Sequence, residues 1–138
     1  MGRVDVRLTA ENYDDVVRRE AGEIGPERVR RLEISALVDS GATYFCLPKR
    51  FVAQLGLRFL RTKETNTANG LTPMGIYSPV RVTVEGRDCI SEVMELPDDC
   101  PPLLGQVPLE VMDWWIDPVN QRLVGNPRHG GQWMAELY

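Results

Sequence analysis

ALVDSGATYFCLP, residues 36–48, sets an acid, a hydroxyl and a glycine between two apolar runs. Just upstream, Leu32, Ile34, Ala36 and Val38 share one face of an alternating segment, while Arg31, Glu33 and Ser35 take the other. That period of two predicts a strand over residues 29–38, and it delivers Asp39 at its end. Asp and Ser side chains bond local backbone and Gly accepts positive φ, so Asp39-Ser40-Gly41 would serve as an ordinary turn. An ordinary turn does not explain why the chain becomes apolar again at once through Tyr44, Phe45, Cys46 and Leu47. The better reading places Asp39 in a loop between two buried strands.

Outward from this stretch the chain is mostly β. Val4, Val6 and Leu8 alternate with Asp5 and Arg7 and predict a first short strand. From residue 11 to 21 the pattern loosens, and Asn12 or Asp14 is placed to cap a short helix carrying Val16 and Val17, closed by Gly22 and Gly25-Pro26. KRFVAQLGL, residues 49–57, predicts a helical turn or two with Gly56 at its C-terminal cap. Asn69-Gly70 is a strong hairpin signal within a Thr-rich segment. Val80, Val82 and Val84 then run into a second turn at Glu85-Gly86-Arg87, with Ile90, Met94 and Leu96 along the return strand. Two successive hairpins imply an antiparallel sheet. PDDCPP, residues 97–102, breaks it, and Leu103-Leu104-Gly105 is a short buried run. Residues 107–115 have helix spacing with Pro108 near the start, Asp117-Pro118 ends the helix, and residues 121–124 form a last strand.

Composition narrows the chemistry. A chain of 138 residues suits one domain, and a net charge of -4 argues against nucleic acid or a membrane surface as partner. Neither a secretion signal nor a membrane-spanning run is evident, so a cytoplasmic location is expected. Cys46, Cys89 and Cys100 are odd in number and not arranged as C-x-x-C, which fits reduced thiols, with Cys46 a buried, inert one. The single histidine, His129, lies in the Gly-rich RHGGQW and is expected in an exposed loop, a poor setting for the oriented base of a Ser-His-Asp or Cys-His enzyme. No ligand spacing suggests a metal, and no Gly-rich phosphate loop suggests a nucleotide cofactor. What remains is carboxylate chemistry.

Asp39-Ser40-Gly41-Ala42, preceded by Leu37-Val38, resembles the D-[ST]-G-A active-site loop of aspartic proteases. Leu103-Leu104-Gly105, followed by a helix, resembles the element that packs behind that loop, and the Asn69-Gly70 hairpin falls between the two, where the family has its flap. Only one D-[ST]-G occurs, so the similarity is to the single-domain, retroviral-type branch (retropepsin-like, clan AA) and not to the two-lobed enzymes. It covers a core of about residues 4–127, leaving a tail at 128–138. LVDSGATYFCLPKRFVAQLGL and LLGQVPLEVMDWWIDPVNQRLVGNP look most like small aspartic proteases predicted in bacteria, cyanobacteria included. The implied fold is the closed β-barrel of the acid proteases, in one domain with one short C-terminal helix.

The resemblance implies an aspartic endopeptidase acting on a peptide or protein substrate, with neither metal nor cofactor. One carboxylate cannot be general base and general acid in the same step, whereas two brought together share a proton because like charges at such range resist double ionisation. A homodimer contributing Asp39 from each subunit is therefore implied. Ser40 would hydrogen-bond across the pair, and Gly41 would let backbone approach the carboxylates. Ala42, Leu103, Leu104 and Gly105 would support the loop. Residues 65–75, with Ala68, Asn69 and Gly70 at the tip, would form the flap. Trp114 and Trp115 are expected to pack core and dimer surface, and GRVDVRL and QRLVGNP are candidates for an intersubunit sheet. Ser40 stands where Thr is commoner, Thr43 where the retroviral enzymes have a second acid, and Gln106 at a variable position; the insertion before Val29 is longer than theirs. The alternative is a catalytically idle module for dimerisation or peptide binding. Such a module has no physical need for a repelling pair of acids.

Overall fold

The structure, a computed structural model, describes residues 3–137. Its strands close into a ring. β1 (Asp5–Asn12) pairs antiparallel with β2 (Arg31–Val38), which pairs in parallel with the short β7 (Leu103–Leu104). β7 pairs with β3 (Phe45–Pro48), β3 with β6 (Arg87–Leu96), and β6 with β5 (Gly70–Val84). Residues 80–83 of β5 then pair with residues 9–12 of β1 and complete the circuit. At the seam Glu11 lies opposite Arg81 and accepts from its guanidinium at 2.6 Å, so the closing pair of strands carries its own ion pair. β4 (Phe59–Thr67) pairs only with the first half of β5 and extends beyond the ring as a hairpin.

Two turns follow different chemistry. At Glu85-Gly86 both residues have positive φ, 47° and 85°, the mirror-image two-residue turn whose twist matches a hairpin. Asn69-Gly70 signals the same turn, but its strands close at Thr67 and Gly70 around Ala68-Asn69, and Gly70 alone is left-handed, at φ 94°. The hairpin forms as expected with its tip one residue earlier.

The barrel interior is filled from every strand of the ring, with Leu8, Ile34, Ala36, Val38, Phe45, Leu47, Val80, Val82, Val84, Val93 and Leu104 in one buried cluster. Cys46, Ile76 and Met94 form a second buried cluster with Tyr44, Met74, Leu96 and Leu103 packed against it. Val93 and Met94 are adjacent and both buried, so β6 is covered on both faces there; Ile90 along the same strand is exposed.

Three helices lie outside the ring, each at a stretch where the sequence predicts one. Asn12 caps α1 (Tyr13–Glu20) by accepting from the Asp15 amide, and its amide nitrogen reaches the Leu55 carbonyl at 2.8 Å, tying the insertion to the end of α2 (Lys49–Gln54). Buried Asp15 accepts from the Arg30 guanidinium, which holds its carboxyl below the usual carboxylate range and anchors the far end of the insertion.

The largest correction concerns α3 (Gln106–Met112), which ends three residues earlier than helix spacing predicts. Asp113 takes a left-handed conformation, φ 60°, and the chain leaves as a strand. Trp114–Asp117 forms β8 and pairs with β9 (Arg122–Gly125) in a separate two-stranded sheet. Trp114 packs against the core beneath the Arg87 guanidinium, 4.0 Å from its ring centroid, whereas Trp115 is largely exposed beside Arg128. The two stretches proposed for an intersubunit sheet are both used within the chain: residues 5–11 pair with β2, and residues 122–125 with β8. Gly2, the first residue of GRVDVRL, lies outside the described residues.

Candidate active site

Asp39 leaves the end of β2 into a loop gripped from two sides. Its amide donates to the Leu104 carbonyl at 3.0 Å, and its carbonyl accepts from the Ala42 amide at 3.1 Å. The carboxylate accepts from the Gly41 amide at 2.9 Å, so the acid folds back over its own turn. Asp39 is half-buried, while Ser40, Gly41 and Thr43 are exposed.

Leu103-Leu104-Gly105 lies where β2 and β3 separate. Leu103 and Leu104 stand opposite Leu37 and Val38 on one side and Cys46 and Phe45 on the other, so β7 bridges the strands entering and leaving the loop. Gly105 has ordinary extended backbone; what it supplies is space. A Cβ there would sit 2.2 Å from the Tyr44 carbonyl oxygen and 2.6 Å from that of Ala42, closer than any side chain tolerates. The next amides use the same carbonyls' neighbourhood: Gln106 donates to Ala42 at 2.7 Å and Val107 to Thr43 at 3.1 Å. The sequence-predicted residues Asp39, Ser40, Gly41, Ala42, Leu103, Leu104 and Gly105 are therefore brought together. Ala68, Asn69 and Gly70 are not in this cluster; they form the tip of the β4–β5 hairpin.

Between loop and hairpin the second cluster makes an apolar wall whose centre, Cys46, Ile76 and Met94, is buried and whose outer edge is the partly exposed Tyr44, Met74, Leu96 and Leu103. Cys46 stands within the field of Asp39, and burial together with that charge pushes its thiol up to about 12. It is an inert side chain at neutral pH. Cys89, buried in the barrel, is raised to about 11 for the same first reason, desolvation. At the outer end of the wall, Lys63 of β4 donates to the Tyr44 hydroxyl at 2.6 Å and lies 5.1 Å from that ring's centroid.

Sequence reasoning missed Tyr44, Met74 and Lys63. A signal existed for two of them: counting back from the Thr67–Gly70 closing pair puts Lys63 opposite Met74. It also misplaced His129, which is not in an open loop. His129 ends a 3-10 turn (Pro127–His129), and its side chain is only 11% exposed. Its Nδ1 is 2.7 Å from Asp113 and its Nε2 2.8 Å from Glu136. Those two carboxylates raise the imidazole above its ordinary value. This cluster ties the tail to Asp113 at the end of α3.

A strand ending in Asp-Ser-Gly, a bridging Leu-Leu-Gly and a protruding hairpin on a closed ring agree with a comparison against protein families. The model of the gag-polyprotein putative aspartyl protease family matches residues 28–110, more than half of the chain. The chain belongs to this family. Its retropepsin-like fold accounts for the ring, for the crossing of β7 between β2 and β3, and for the helix that follows. A comparison with curated proteins finds no match. The matched span holds the Asp39 loop, the hairpin and Leu103–Gly105, and stops before β8, β9 and the tail.

Proposed function

We propose that the chain is an endopeptidase that hydrolyses peptide bonds with a water activated by two Asp39 carboxylates, one from each subunit of a homodimer. The observation that carries this reading is the Asp39-Ser40-Gly41 turn, exposed at Ser40 and Gly41, fixed at its base by Leu104 and Gly105 and carrying one carboxylate per chain. A loop this firmly anchored, yet open at its tip, suits close approach by its own two-fold copy.

In the working state the pair holds one proton. The ionised Asp39 takes a proton from the water as its oxygen attacks the peptide carbonyl carbon, and the protonated Asp39 gives its proton to the carbonyl oxygen. The tetrahedral intermediate collapses by breaking the C–N bond, its hydroxyl proton returning to one carboxylate while the other protonates the leaving nitrogen. The products are an acid and an amine, and the pair again holds one proton. Titration belongs to the pair, so cleavage falls when the pair gains a second proton or loses its only one. Gly41 leaves room near the carboxylate, where a Cβ would stand 3.1 Å from Asp39 Oδ1. Among the described residues the Ser40 hydroxyl has no hydrogen-bond partner, and it is exposed, so it is free to bond across the axis. Residues 65–75, with Ala68, Asn69 and Gly70 at the tip, close over the substrate and exclude water. The partly exposed edge of the apolar wall, with Tyr44, Met74 and Leu103 over the buried Cys46, Ile76 and Met94, favours apolar residues near the bond that is cut.

The test compares wild type and Asp39→Asn on a pooled peptide library by mass spectrometry from acid to neutral pH, with both proteins sedimented. Cleavage by wild type alone, with both proteins dimeric, is the expected result. Cleavage by Asp39→Asn, or a wild type that remains monomeric while cutting, would overturn the mechanism.

A further inference from the structure

The wall that starts at Asp39 ends on a cation. Lys63 lies opposite Met74 in the β4–β5 hairpin, and Met74 and Tyr44 both pack on the Cys46–Ile76–Met94 cluster. Tyr44 belongs to the segment leaving the Asp39 loop, and its carbonyl oxygen touches the space kept open at Gly105. Beside this packing, the hairpin stem and the segment leaving the loop are joined by a hydrogen bond, from the Lys63 ammonium to the Tyr44 hydroxyl at 2.6 Å.

Lys63 is exposed, and that contact leaves most of its ammonium open to a ligand. An ammonium has three donors, and Tyr44 takes one. Tyr44 is neutral, and among the described residues no carboxylate is within ion-pair distance of Lys63. Its neighbour two residues back on the same face, Arg61, is by contrast paired with Glu92 of β6. Glu64 follows Lys63 directly and so takes the opposite face of the strand. Lys63 is the positive charge left over beside the wall, and the Tyr44 ring and hydroxyl restrict where it points.

Resting on the aspartic-protease reading of the same cleft, we propose that Lys63, oriented by Tyr44, is a specificity-determining residue that selects substrates with Asp or Glu in the residues flanking the scissile bond. An extended peptide lying over the apolar wall advances about 3.3 Å per residue, so its side chains on one face come successively past the wall and then past Lys63. The substrate class is a peptide that is apolar at the cut and acidic a short distance away. In the homodimer the same cation stands on both sides of the axis, so an acid on either flank is read.

The experiment uses paired peptides that differ only by Glu or Gln at each flanking position in turn, taken from sequences the wild type cleaves, or from apolar library peptides if it cleaves none. Cleavage is followed with wild type, Lys63→Met, Lys63→Glu and Tyr44→Phe. Binding of the same peptides to Asp39→Asn, with and without Lys63→Met, is followed by fluorescence anisotropy. At one position or more, wild type should prefer Glu by about tenfold, the size of a charge-assisted hydrogen bond discounted for partial exposure. The preference should lie in KM and not in kcat, because the contact is equally present in ground and transition states. It should shrink as salt is raised. Lys63→Met should abolish it, Lys63→Glu should reverse it in favour of the Gln peptides, and Tyr44→Phe should weaken it by removing the hydroxyl that orients the ammonium.

Glu and Gln peptides cut at equal rates by wild type, or a Glu preference that survives Lys63→Met, would overturn the inference while leaving the protease reading intact. Absence of cleavage together with Glu-selective, Lys63-dependent binding would do the reverse. Absence of both cleavage and binding would sink the two together.

Discussion

Two aspartates at the ends of regular elements are treated in opposite ways. Asp113, 5% exposed, accepts from the Asn126 side chain at 3.0 Å, from the Met134 amide at 3.1 Å, and contacts His129 at 2.7 Å. Asp39 is half-buried and accepts from one neighbouring amide in its own turn. Desolvation pulls Asp113 upward, but the bonds from His129 and Asn126 outweigh it and hold the carboxyl below the usual range. A carboxylate whose acceptor sites are filled from within holds structure together. One with sites left open is available to water, substrate or another subunit.

The comparison is broken first by Asp39→Asn. If the open carboxylate is chemical, this change should cost about 10³-fold or more in peptide cleavage, the range of general acid–base catalysis, while moving unfolding free energy by no more than about 0.5 kcal/mol. Peptide mass spectrometry and urea denaturation on the same sample separate the two. A large stability loss would make Asp39 a structural residue like Asp113.

Gly105→Ala acts on the support and not on the acid. The added Cβ meets two backbone carbonyls, at 2.2 and 2.6 Å, and neither is a flexible side-chain end that moves cheaply. An expected destabilisation of about 3 kcal/mol, with cleavage lost because the loop is displaced, would be read by denaturation and turnover together. A stable, active Gly105→Ala protein would mean that the grip on the loop is slack.

Asp113→Ala probes the saturated acid. Removing a buried acceptor strands Asn126, Met134 and His129 and should cost about 2 kcal/mol in urea denaturation. Cleavage per folded molecule should change little, since no residue of the Asp39 loop bonds to this cluster.

The smallest effect is a pH dependence. His129 is raised above its ordinary 6.5, so its contribution to stability is full below that value and lost as pH rises through its higher folded pKa. Asp113 is lowered from 3.8, so its contribution is full above that value and lost as pH falls through its lower folded pKa. The difference in melting temperature between wild type and His129→Gln should therefore be greatest between 3.8 and 6.5 and fade at alkaline pH. A few degrees is the expected size for losing one charged contact in a domain of this length. A difference that grows with pH would invert the assignment.

Much of this molecule was legible in one dimension because its signals are local. Alternation from Leu32 to Val38 gave β2 and its inward face, with Ile34, Ala36 and Val38 all buried. Glu85-Gly86 gave its turn, and Asn12 its helix cap. Where prediction failed, the deciding partner was distant or the local pattern was ambiguous. Residues 107–115 carry apolar spacing compatible with a helix throughout, and the helix stops at Met112 because Asp113 turns left-handed and is pinned by Asn126. His129 looked exposed in its Gly-rich surroundings, yet Asp113 lies 16 positions earlier in the chain.

The sequence by itself determined that an acid, a hydroxyl and a glycine follow a buried strand, that two leucines and a glycine wait downstream, and that a hairpin separates them. These are matters of residue type, period and turn chemistry, each settled within a few residues. Only the tertiary structure decided that β7 inserts between β2 and β3, that Gly105 is needed for space and not for torsion, that the last helix gives way to a two-stranded sheet, and that Lys63 meets the Tyr44 hydroxyl at the end of the apolar wall. Pairing, clearance and charge balance depend on which distant segments the closed ring brings together.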